Sequence, residues 1–320
     1  MKAFVRDRYG SPDVLRLEEL PMPDVPDEAV LVRVRASSVN AYDWHVLRGK
    51  PYLARLSEGL RAPKERRLGL DVAGEVEAVG SGVTDLAVGD RVFGSRIGAF
   101  GEYVASRNMV RMPAGLTVEQ AAAVPVAGLT ALQGLRDKAG LQADERVLVI
   151  GAGGGVGTMA VQVAKAMGAE VTAVTNPDGL EVVLAIGADA VVDYTREDVA
   201  RRRERYDVIF DIGGRQRLSA LRGLLTSRGR VVLVAPQPGQ WIGPVARVVG
   251  AAMTSRFSSR KVLPFLSATR TGDMEHLRDL TEAGKLTPVV DRTYPFEQTP
   301  DAIRRMEAGR ARGKIVITVP

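Results

Sequence analysis

Arg146-Val-Leu-Val-Ile-Gly-Ala-Gly-Gly-Gly-Val-Gly157 is the stretch that decides the fold, because an apolar run ends there in a cluster of glycines. The run 146–150 is typical of a buried strand, and Ala and Val residues recur at helical spacing over 157–167. A glycine-rich turn that opens a helix suits a phosphate, since free N–H groups and the positive end of the helix dipole lie there. The stretch therefore predicts a dinucleotide-binding turn.

The small residues of this turn fit the G-x-G-x-x-G/A pattern with alanine in the first position. In that register Ala152 permits the tight turn, Gly154 lets the backbone approach a pyrophosphate, and Gly157 lets the helix pack closely on the strand. A purely structural turn is the alternative. We expect the turn to bind the cofactor through Ala152, Gly154, Gly155, Val156 and Gly157.

Strand and helix patterns alternate after this turn. Strands are predicted at 170–174, 190–193, 206–210 and 230–234, and a helix at 180–186. Short links between alternating strands and helices are typical of a parallel sheet covered on both faces. We therefore expect an α/β fold with a doubly wound Rossmann domain.

The N-terminal part has a different pattern. Short alternating strands are predicted at 30–36, 71–79, 88–94 and 101–105, separated by turn residues, which favours a β-barrel or partly open sheet. Helical spacing follows at 118–125 and 128–135. Beyond residue 266 the chain changes again, to helices at 274–283 and 299–309 and a last strand at 314–319.

The composition excludes several kinds of chemistry. The 320 residues contain no cysteine and two histidines. A disulfide scaffold, a Cys-ligated zinc, an iron–sulfur cluster and a thiol nucleophile are therefore excluded, and little remains for a His-built metal site. The chemistry must use hydroxyls, amides, charged side chains or an organic cofactor.

The charge and the chain ends predict a cytoplasmic protein. Basic clusters at 61–67, 201–205 and 304–314 lack interleaved aromatic residues, so they indicate solvated faces and nucleic acid is not expected as a partner. The N-terminus lacks the apolar region of a signal peptide. No stretch approaches the ~20 apolar residues of a membrane span, so no membrane contact is expected.

The cofactor is predicted from the end of the second strand of the alternating region. An NAD site usually carries Asp or Glu there, but this chain has the neutral residues Thr175 and Asn176. A missing carboxylate favours NADPH, because nothing repels a 2′-phosphate. No Lys or Arg follows directly and Asp178 is near, so NADH stays possible.

Motifs of one known family occur in order along the chain. They are Ser38-Val-Asn-Ala-Tyr-Asp43 with Arg48-Gly49, Leu68-Gly-Leu-Asp-Val-Ala-Gly-Glu-Val-Glu-Ala-Val-Gly80, Val88-Gly-Asp-Arg-Val-Phe93, Ala127-Gly-Leu-Thr-Ala131, Gly151-Ala-Gly-Gly-Gly-Val-Gly157, Gly187-Ala-Asp-Ala-Val-Val-Asp-Tyr194 and Gly309-Arg-Ala-Arg-Gly-Lys314. Over almost its full length the chain resembles the medium-chain dehydrogenase/reductase superfamily, and most closely its zinc-free quinone oxidoreductase and enoyl reductase branch. The resemblance implies a GroES-like, mainly β catalytic domain (1–122 and 266–320), a Rossmann domain (123–265) and a ligand between them.

The resemblance also separates this chain from zinc-dependent members. Those carry a Cys after the second strand and Gly-His-Glu where this chain has Gly69-Leu-Asp71. Catalytic zinc needs three protein ligands, which His45 alone cannot supply. Donor groups must then stabilise the negative charge that develops on a substrate oxygen. Conjugated substrates, namely quinones and α,β-unsaturated carbonyls, suit such a site because they spread that charge.

Three residues are the catalytic candidates. Asn40 matches the family asparagine near the nicotinamide, with a turn amide as the alternative. Tyr52 matches a tyrosine near the substrate in several zinc-free members, where it would orient the carbonyl or donate a proton, with a packing role as the alternative. His45 titrates near neutral pH, but a lone loop histidine is more often only exposed.

The remaining cofactor contacts come mostly from the resemblance. Thr130 resembles a residue that binds the nicotinamide-side phosphate, Tyr194 one beside the adenosine ribose phosphate, and Lys314 a lysine facing the cofactor. Each has an ordinary structural role as its alternative. Asp211 and Gly213 end the fourth strand of the alternating region, beside the expected cofactor cleft.

The leading hypothesis is an NADPH-dependent reductase of quinones or enones. One alternative is an enoyl-thioester reductase or tailoring enzyme, whose carrier phosphate the basic residues 61–67 would attract. The other is a cofactor-binding scaffold, or an RNA- or protein-binding member, with little catalysis. A homodimer is expected from the resemblance, and the apolar stretch 241–253 is predicted either to form its interface or to line the substrate cleft.

Overall fold

A computed structural model describes residues 1–213, 216–234, 259–309 and 311–320, apart from the side chain of Ala54. The chain divides into two compact units. The first, called the catalytic unit below, comprises Met1–Ala127, Thr269–Glu282 and Pro288–Pro320. The second, called the nucleotide unit, comprises Gly128–Ala268 and Ala283–Thr287.

The nucleotide unit is built on a six-stranded parallel sheet. In chain order its strands are β8 (Arg146–Ile150), β9 (Glu170–Thr175), β10 (Ala190–Asp193), β11 (Tyr206–Asp211), β12 (Leu225–Leu233) and β13 (Lys261–Pro264). Their order across the sheet is β10-β9-β8-β11-β12-β13. This is the doubly wound order 3-2-1-4-5-6, in which ligands bind at the carboxyl edge where the strand order reverses, here between β8 and β11.

The helices of this unit connect the strands. They are Gly155–Ala166, Leu180–Ala185 and Leu218–Gly223, and the helix Pro125–Leu132 leads in from the catalytic unit. The helical spacing predicted over 128–135 corresponds to a helix that changes type after Leu132. The chain there forms a π-helix, Gln133–Ala139, which ends at Gly140 with φ 61°. Gly134 explains the close packing, since a Cβ at this residue would come within 2.5 Å of the Phe210 ring.

Residues 283–287 join the nucleotide unit although the sequence assigns them to the catalytic domain. The cause is a pair of hydrogen bonds across the unit. The amide N–H of Thr287 donates to Oε1 of Gln162 (2.7 Å), and Nε2 of Gln162 donates to the carbonyl of Thr287 (3.0 Å).

The catalytic unit is built on a seven-stranded sheet in the order β14-β15-β3-β4-β5-β7, with β6 also paired to β3. Its strands are β3 (Val30–Val39), β4 (Asp71–Val79), β5 (Arg91–Ser95), β6 (Tyr103–Ser106), β7 (Met109–Arg111), β14 (Val290–Pro295) and β15 (Lys314–Thr318), and a separate hairpin joins β1 (Lys2–Val5) to β2 (Arg16–Glu19). The inward side chains of β3, β4 and β15 form one apolar core. The predicted fold class is confirmed.

The helices of the catalytic unit are Ala41–Arg48, Arg55–Glu58, Val118–Ala122, Thr271–Glu282 and Thr299–Glu307. The first of them replaces the loop in which the sequence analysis placed His45. The residues of the helix Ala41–Arg48 give no strong helical period. Its N-terminal end is set by capping, which depends on one carboxylate described below. Among the described residues no helix is long and apolar enough to cross a membrane.

Candidate active site

The glycine-rich turn lies directly after β8. Its left-handed residue is Gly151, with φ 89°. The role of permitting the tight turn, which the sequence analysis gave to Ala152, therefore belongs to Gly151. The N–H groups of Gly151 and Ala152 both donate to the carbonyl of Val174 (3.1 and 3.0 Å), which ties the turn to β9. Ala152 itself is fully buried.

The other glycines of the turn are required for different reasons. A Cβ at Gly157 would lie 2.2 Å from the carbonyl oxygen of Gly151, so only glycine lets the helix start this close to the strand. A Cβ at Gly154 would meet only that same oxygen, at 3.6 Å. Packing among the described residues thus leaves the face of Gly154 open. The helix Gly155–Ala166 begins there, so the N–H groups of its first turn, those of Gly155 and Val156 among them, have no partner within the helix.

An open backbone face at a helix N-terminus is what a pyrophosphate needs. The residues of the turn therefore fit the phosphates of a dinucleotide. They hold no side chain that would block its approach, and the positive end of the helix dipole favours a bound anion.

The residues at the end of β9 divide into a buried and an accessible one. Thr175 is 3 % exposed, and its Oγ1 would lie 2.5 Å from a Cβ on Gly153 and 2.4 Å from one on Gly179. Thr175 therefore packs between two glycines rather than facing solvent. Asn176 is half-buried and follows it, so Asn176 is the neutral side chain that remains for a ribose.

Three further cofactor candidates lie at the same carboxyl edge. Tyr194 directly follows β10, is 52 % exposed, and donates its N–H to the carbonyl of Thr175 (3.1 Å). Asp211 ends β11 and is buried, and Gly213 follows with its N–H 3.2 Å from the carbonyl of Ile150. The ends of β8, β9, β10 and β11 thus bring these residues around the glycine-rich turn.

Thr130 occupies the helix Pro125–Leu132 and is nearly buried. Its hydroxyl lies 2.9 Å from that of Ser267, and Nε2 of the neighbouring Gln133 donates to the carbonyl of Ala268 (2.7 Å). These bonds attach the helix to the segment that follows β13. Thr130 therefore belongs to the nucleotide unit, and its hydroxyl has a structural partner there.

In the catalytic unit, Asn40 and Lys314 belong to one buried polar cluster with Asp71. Nζ of Lys314 donates to Oδ1 of Asn40 (2.7 Å), to Oδ2 of Asp71 (2.9 Å) and, more weakly, to the carbonyl of Val39 (3.4 Å). Nδ2 of Asn40 donates to Oδ2 of Asp71 (2.8 Å). Lys314 and Asp71 are 2 % and 0 % exposed. The lysine thus fixes which way the Asn40 amide faces.

Asp71 holds this cluster to two other parts of the unit. Its Oδ2 also accepts a hydrogen bond from the hydroxyl of Ser38, and its Oδ1 accepts from the N–H of Val126 (2.8 Å). Of these donors, the Lys314 ammonium carries a charge and the Ser38 hydroxyl, the Asn40 amide and the Val126 N–H do not. That ammonium is therefore the charge that compensates a fully buried carboxylate.

A second carboxylate positions Asn40 from the other side. Asp43 is fully buried, and its Oδ2 accepts from the backbone N–H of Asn40 (2.7 Å) while its Oδ1 accepts from that of Gly69 (3.2 Å). This caps the helix Ala41–Arg48. Burial raises the pKa of Asp43 to about 7, against the lowering effect of the backbone hydrogen bond from Asn40.

His45 and Tyr52 lie outside this cluster. His45 is half-buried in the last turn of its helix, stacks on Trp44 (ring centroids 3.7 Å apart), and has Nδ1 3.2 Å from the carbonyl of Lys50. Burial lowers the pKa of His45 below its usual range, which disfavours the imidazolium form. Tyr52 is half-buried, with the Arg55 guanidinium 4.8 Å from its ring centre.

The donors for zinc are absent at the expected position. Leu70 separates Gly69 from Asp71, Asp71 is already engaged by Lys314, and the chain contains no cysteine. In the described part of the chain, no three His, Asp or Glu side chains are grouped to hold a metal ion. The residues present do not fit a zinc ion.

A six-stranded nucleotide-binding sheet joined to a GroES-like β unit defines a dinucleotide-dependent oxidoreductase fold. Residues 26–132 match the family model described as the alcohol dehydrogenase GroES-like domain, and residues 186–317 match the one described as zinc-binding dehydrogenase. The donor set above shows that the second description does not extend to a zinc site in this chain.

Known proteins similar to this chain include quinone and alkenal/one oxidoreductases. A chloroplast envelope quinone oxidoreductase homolog of Arabidopsis thaliana is 33 % identical, over 99 % of this chain and 98 % of its own. An NADPH-dependent alkenal/one oxidoreductase of the same plant is 31 % identical, over 99 % and 79 %. The Escherichia coli quinone oxidoreductase solved with NADPH is 26 % identical with a TM-score of 0.85, over 100 % of both chains. This chain belongs to the medium-chain dehydrogenase/reductase superfamily, in its zinc-free quinone oxidoreductase branch.

Sequence reasoning missed the two carboxylates that hold Asn40. Asp71 opens a strand whose next residues are apolar, and Asp43 stands three residues after an asparagine. A charged residue in such an apolar context needs a buried partner, and an Asn-x-x-Asp spacing is a capping signal. Both signals were present in the motifs that carried the family resemblance.

Proposed function

We propose that this chain reduces quinones or α,β-unsaturated carbonyls with hydride from NADPH. The observation that carries the proposal is the open backbone face at Gly154, at the start of a 12-residue helix and at the strand-order reversal of the sheet. The names of the relatives, which are quinone and alkenal/one oxidoreductases, support the substrate class.

The end of β9 supports NADPH over NADH. Thr175 is buried in packing and Asn176 is neutral, so this position lacks the carboxylate that usually holds an unphosphorylated ribose. A similar protein has been solved with NADPH. The glycine-rich turn would bind the pyrophosphate, with Asp211 and Gly213 beside it.

The chain's own part in the chemistry is to orient and to donate hydrogen bonds. Bound NADPH would supply the hydride. In the catalytic unit, we assign the Asn40 amide and the Tyr52 hydroxyl to the nicotinamide and the substrate carbonyl. In the nucleotide unit, we assign the Thr130 hydroxyl to a phosphate of the cofactor. Lys314 and Asp43 hold Asn40 from its side chain and its backbone, so the amide enters the reaction already oriented.

Tyr52 is a better candidate proton donor than His45. Burial lowers the pKa of His45, which disfavours its protonated form, and its Nδ1 lies 3.2 Å from the backbone carbonyl of Lys50. A phenol O–H donates a proton without first having to gain one. We therefore assign the proton-donor role to Tyr52 and a packing role to His45.

The experiment that tests the proposal is the loss of NADPH absorbance with a panel of quinones and enones. We expect turnover with at least one class. Tyr52→Phe is expected to lower kcat about 100-fold or more, the range for a lost general acid, while His45→Gln is expected to stay near wild type. Tight NADPH binding without turnover on any acceptor would contradict the proposal and favour a cofactor-binding scaffold.

The ion pairs in the basic clusters do not support the two alternative hypotheses, an enzyme that binds a carrier phosphate and an RNA-binding protein. Arg66 is paired with Asp7 and Glu18, and Arg67 with Glu65. A carrier phosphate that bound Arg66 or Arg67 would have to break these pairs. In the third cluster Arg304 is paired with Asp13 and Asp301, and Arg305 with Asp291. These pairs lower the positive charge that the four arginines offer to a phosphate.

A cytoplasmic location and a homodimer stay predictions from the sequence. The apolar stretch 241–253, predicted to form either the dimer interface or a wall of the substrate cleft, lies outside the described residues. Sedimentation of the purified chain with and without NADPH would measure the oligomeric state.

A further inference from the structure

The loop after β9 has no cation for a 2′-phosphate. Residues 175–179 read Thr-Asn-Pro-Asp-Gly. A phosphate monoester carries nearly two negative charges at neutral pH, and NADP sites commonly use an arginine close to the ribose. If this chain prefers NADPH, the positive charge must come from another part of the carboxyl edge.

The structure brings the turn after β10 to this place. β9 and β10 are parallel neighbours with Asp193 paired to Thr175, and the Tyr194 N–H donates to the Thr175 carbonyl (3.1 Å). The next residues along the chain therefore lie beside the end of β9. The second residue after Tyr194 is Arg196.

Hydrogen bonds of Asp193 hold the turn that contains Arg196. Its Oδ1 accepts from both the N–H (2.9 Å) and the hydroxyl (2.7 Å) of Thr195, and its carbonyl accepts from the N–H of Arg196 (3.1 Å). Nε of Arg196 lies 3.5 Å from Oδ2 of Asp193. The carboxylate thus faces the inner edge of the guanidinium.

The outer edge of that guanidinium is open. The Arg196 side chain is 84 % exposed, and its two Nη groups make no hydrogen bond among the described residues. Two parallel N–H groups on one guanidinium edge match two phosphate oxygens. By contrast, Arg202 on the same connection is held by Glu197 (2.9 Å) and Glu204 (3.0 Å).

We propose that Arg196 binds the 2′-phosphate of NADPH and sets the preference for NADPH over NADH. The assignment rests on the proposed function, because it presumes a dinucleotide at the glycine-rich turn. The loop after β9 lacks a cation, and in this assignment Arg196 supplies it from the turn after β10. The hydrogen bonds of Asp193 hold that turn.

The test is the dissociation constants of NADPH and NADH, measured by nicotinamide fluorescence on the intact chain. We expect Arg196→Gln to weaken NADPH about 10- to 100-fold, the range for a lost charge-assisted contact, and to leave NADH within about twofold. The loss should shrink as salt is raised. The matched control is Arg201→Gln, whose side chain is 88 % exposed and also pairs with an aspartate three residues away. It should change neither constant.

Three results would overturn the assignment: an unchanged NADPH constant in Arg196→Gln, equal weakening of NADPH and NADH in that variant, or a wild-type chain that binds both cofactors equally. Because the readout is binding, failure of the proposed reductase activity is seen separately, as bound NADPH that no quinone or enone oxidises.

Discussion

Lys314→Met removes the ammonium that neutralises Asp71 while keeping a side chain of similar length. In the wild type, Nζ of Lys314 lies 2.9 Å from Oδ2 of Asp71, and the two side chains are 2 % and 0 % exposed. The substitution leaves a carboxylate with no access to water and with neutral partners only. It also removes the donor that fixes the Asn40 amide.

The burial sets the size of the effect. Removing one partner of a buried ion pair costs about 3–5 kcal/mol, because the remaining charge is neither solvated nor compensated. Arg48→Met is the control in the same unit. The Arg48–Glu307 pair is as short, at 2.8 Å, but its side chains are 31 % and 29 % exposed. Solvent weakens such a pair, so we expect a loss of about 1 kcal/mol or less.

Urea unfolding of the two variants measures both losses. Adding Asp71→Asn to Lys314→Met should recover about 2 kcal/mol, because the uncompensated charge is then gone. Equal destabilisation by Lys314→Met and Arg48→Met would refute the reasoning. So would a double variant less stable than Lys314→Met alone.

Three other substitutions test separate parts of the account. Gly157→Ala places a Cβ 2.2 Å from the Gly151 carbonyl oxygen, so it should lower the melting temperature in calorimetry and weaken NADPH binding at least tenfold in titration. Gly223→Ala, which has open space around its Cβ, should change neither. Asp178→Arg should raise the ratio of NADPH to NADH affinity, since it adds a cation next to Asn176; a lower ratio would contradict the assigned ribose position. The pKa of Asp43 is raised by burial from 3.8 to about 7, so its contribution to stability is present at low pH and is lost as pH rises from about 4 to 7. Relative to Asp43→Asn, the unfolding free energy of the wild type should fall by up to about 4 kcal/mol over that window, and parallel pH profiles would contradict the buried carboxylate.

The nucleotide unit was predictable because its signals are local. β8 and β10 have the predicted bounds, and the glycine-rich turn lies between the predicted strand and helix. A run of apolar residues and a run of glycines each carry their meaning within about ten positions. The π-helix 133–139 could not be predicted this way, because it packs on a distant residue: Gly134 lies against the ring of Phe210, far along the chain.

The cluster around Asn40 was only half predictable for the same reason. Asn40 and Lys314 were singled out, but their bond joins residues 274 positions apart, and the hydrogen bond from Lys314 to Asp71 spans 243. One sequence does not show which distant residues pair. Thr175, by contrast, was singled out from the sequence, but the packing around it was not foreseen. Its position at the strand end predicts a ribose contact, but two glycines make room for its side chain inside the turn.

The most direct test of the central claim is single-turnover oxidation of NADPH bound to the purified, chelator-treated chain, followed at the nicotinamide absorbance after mixing with a quinone or an enone. We predict transfer of hydride that is faster from NADPH than from NADH and unaffected by the chelator, since no three His, Asp or Glu side chains of the described residues are grouped to hold a metal ion and the chain has no cysteine. Bound NADPH that persists with every acceptor, or transfer that appears only when zinc is added, would contradict the account.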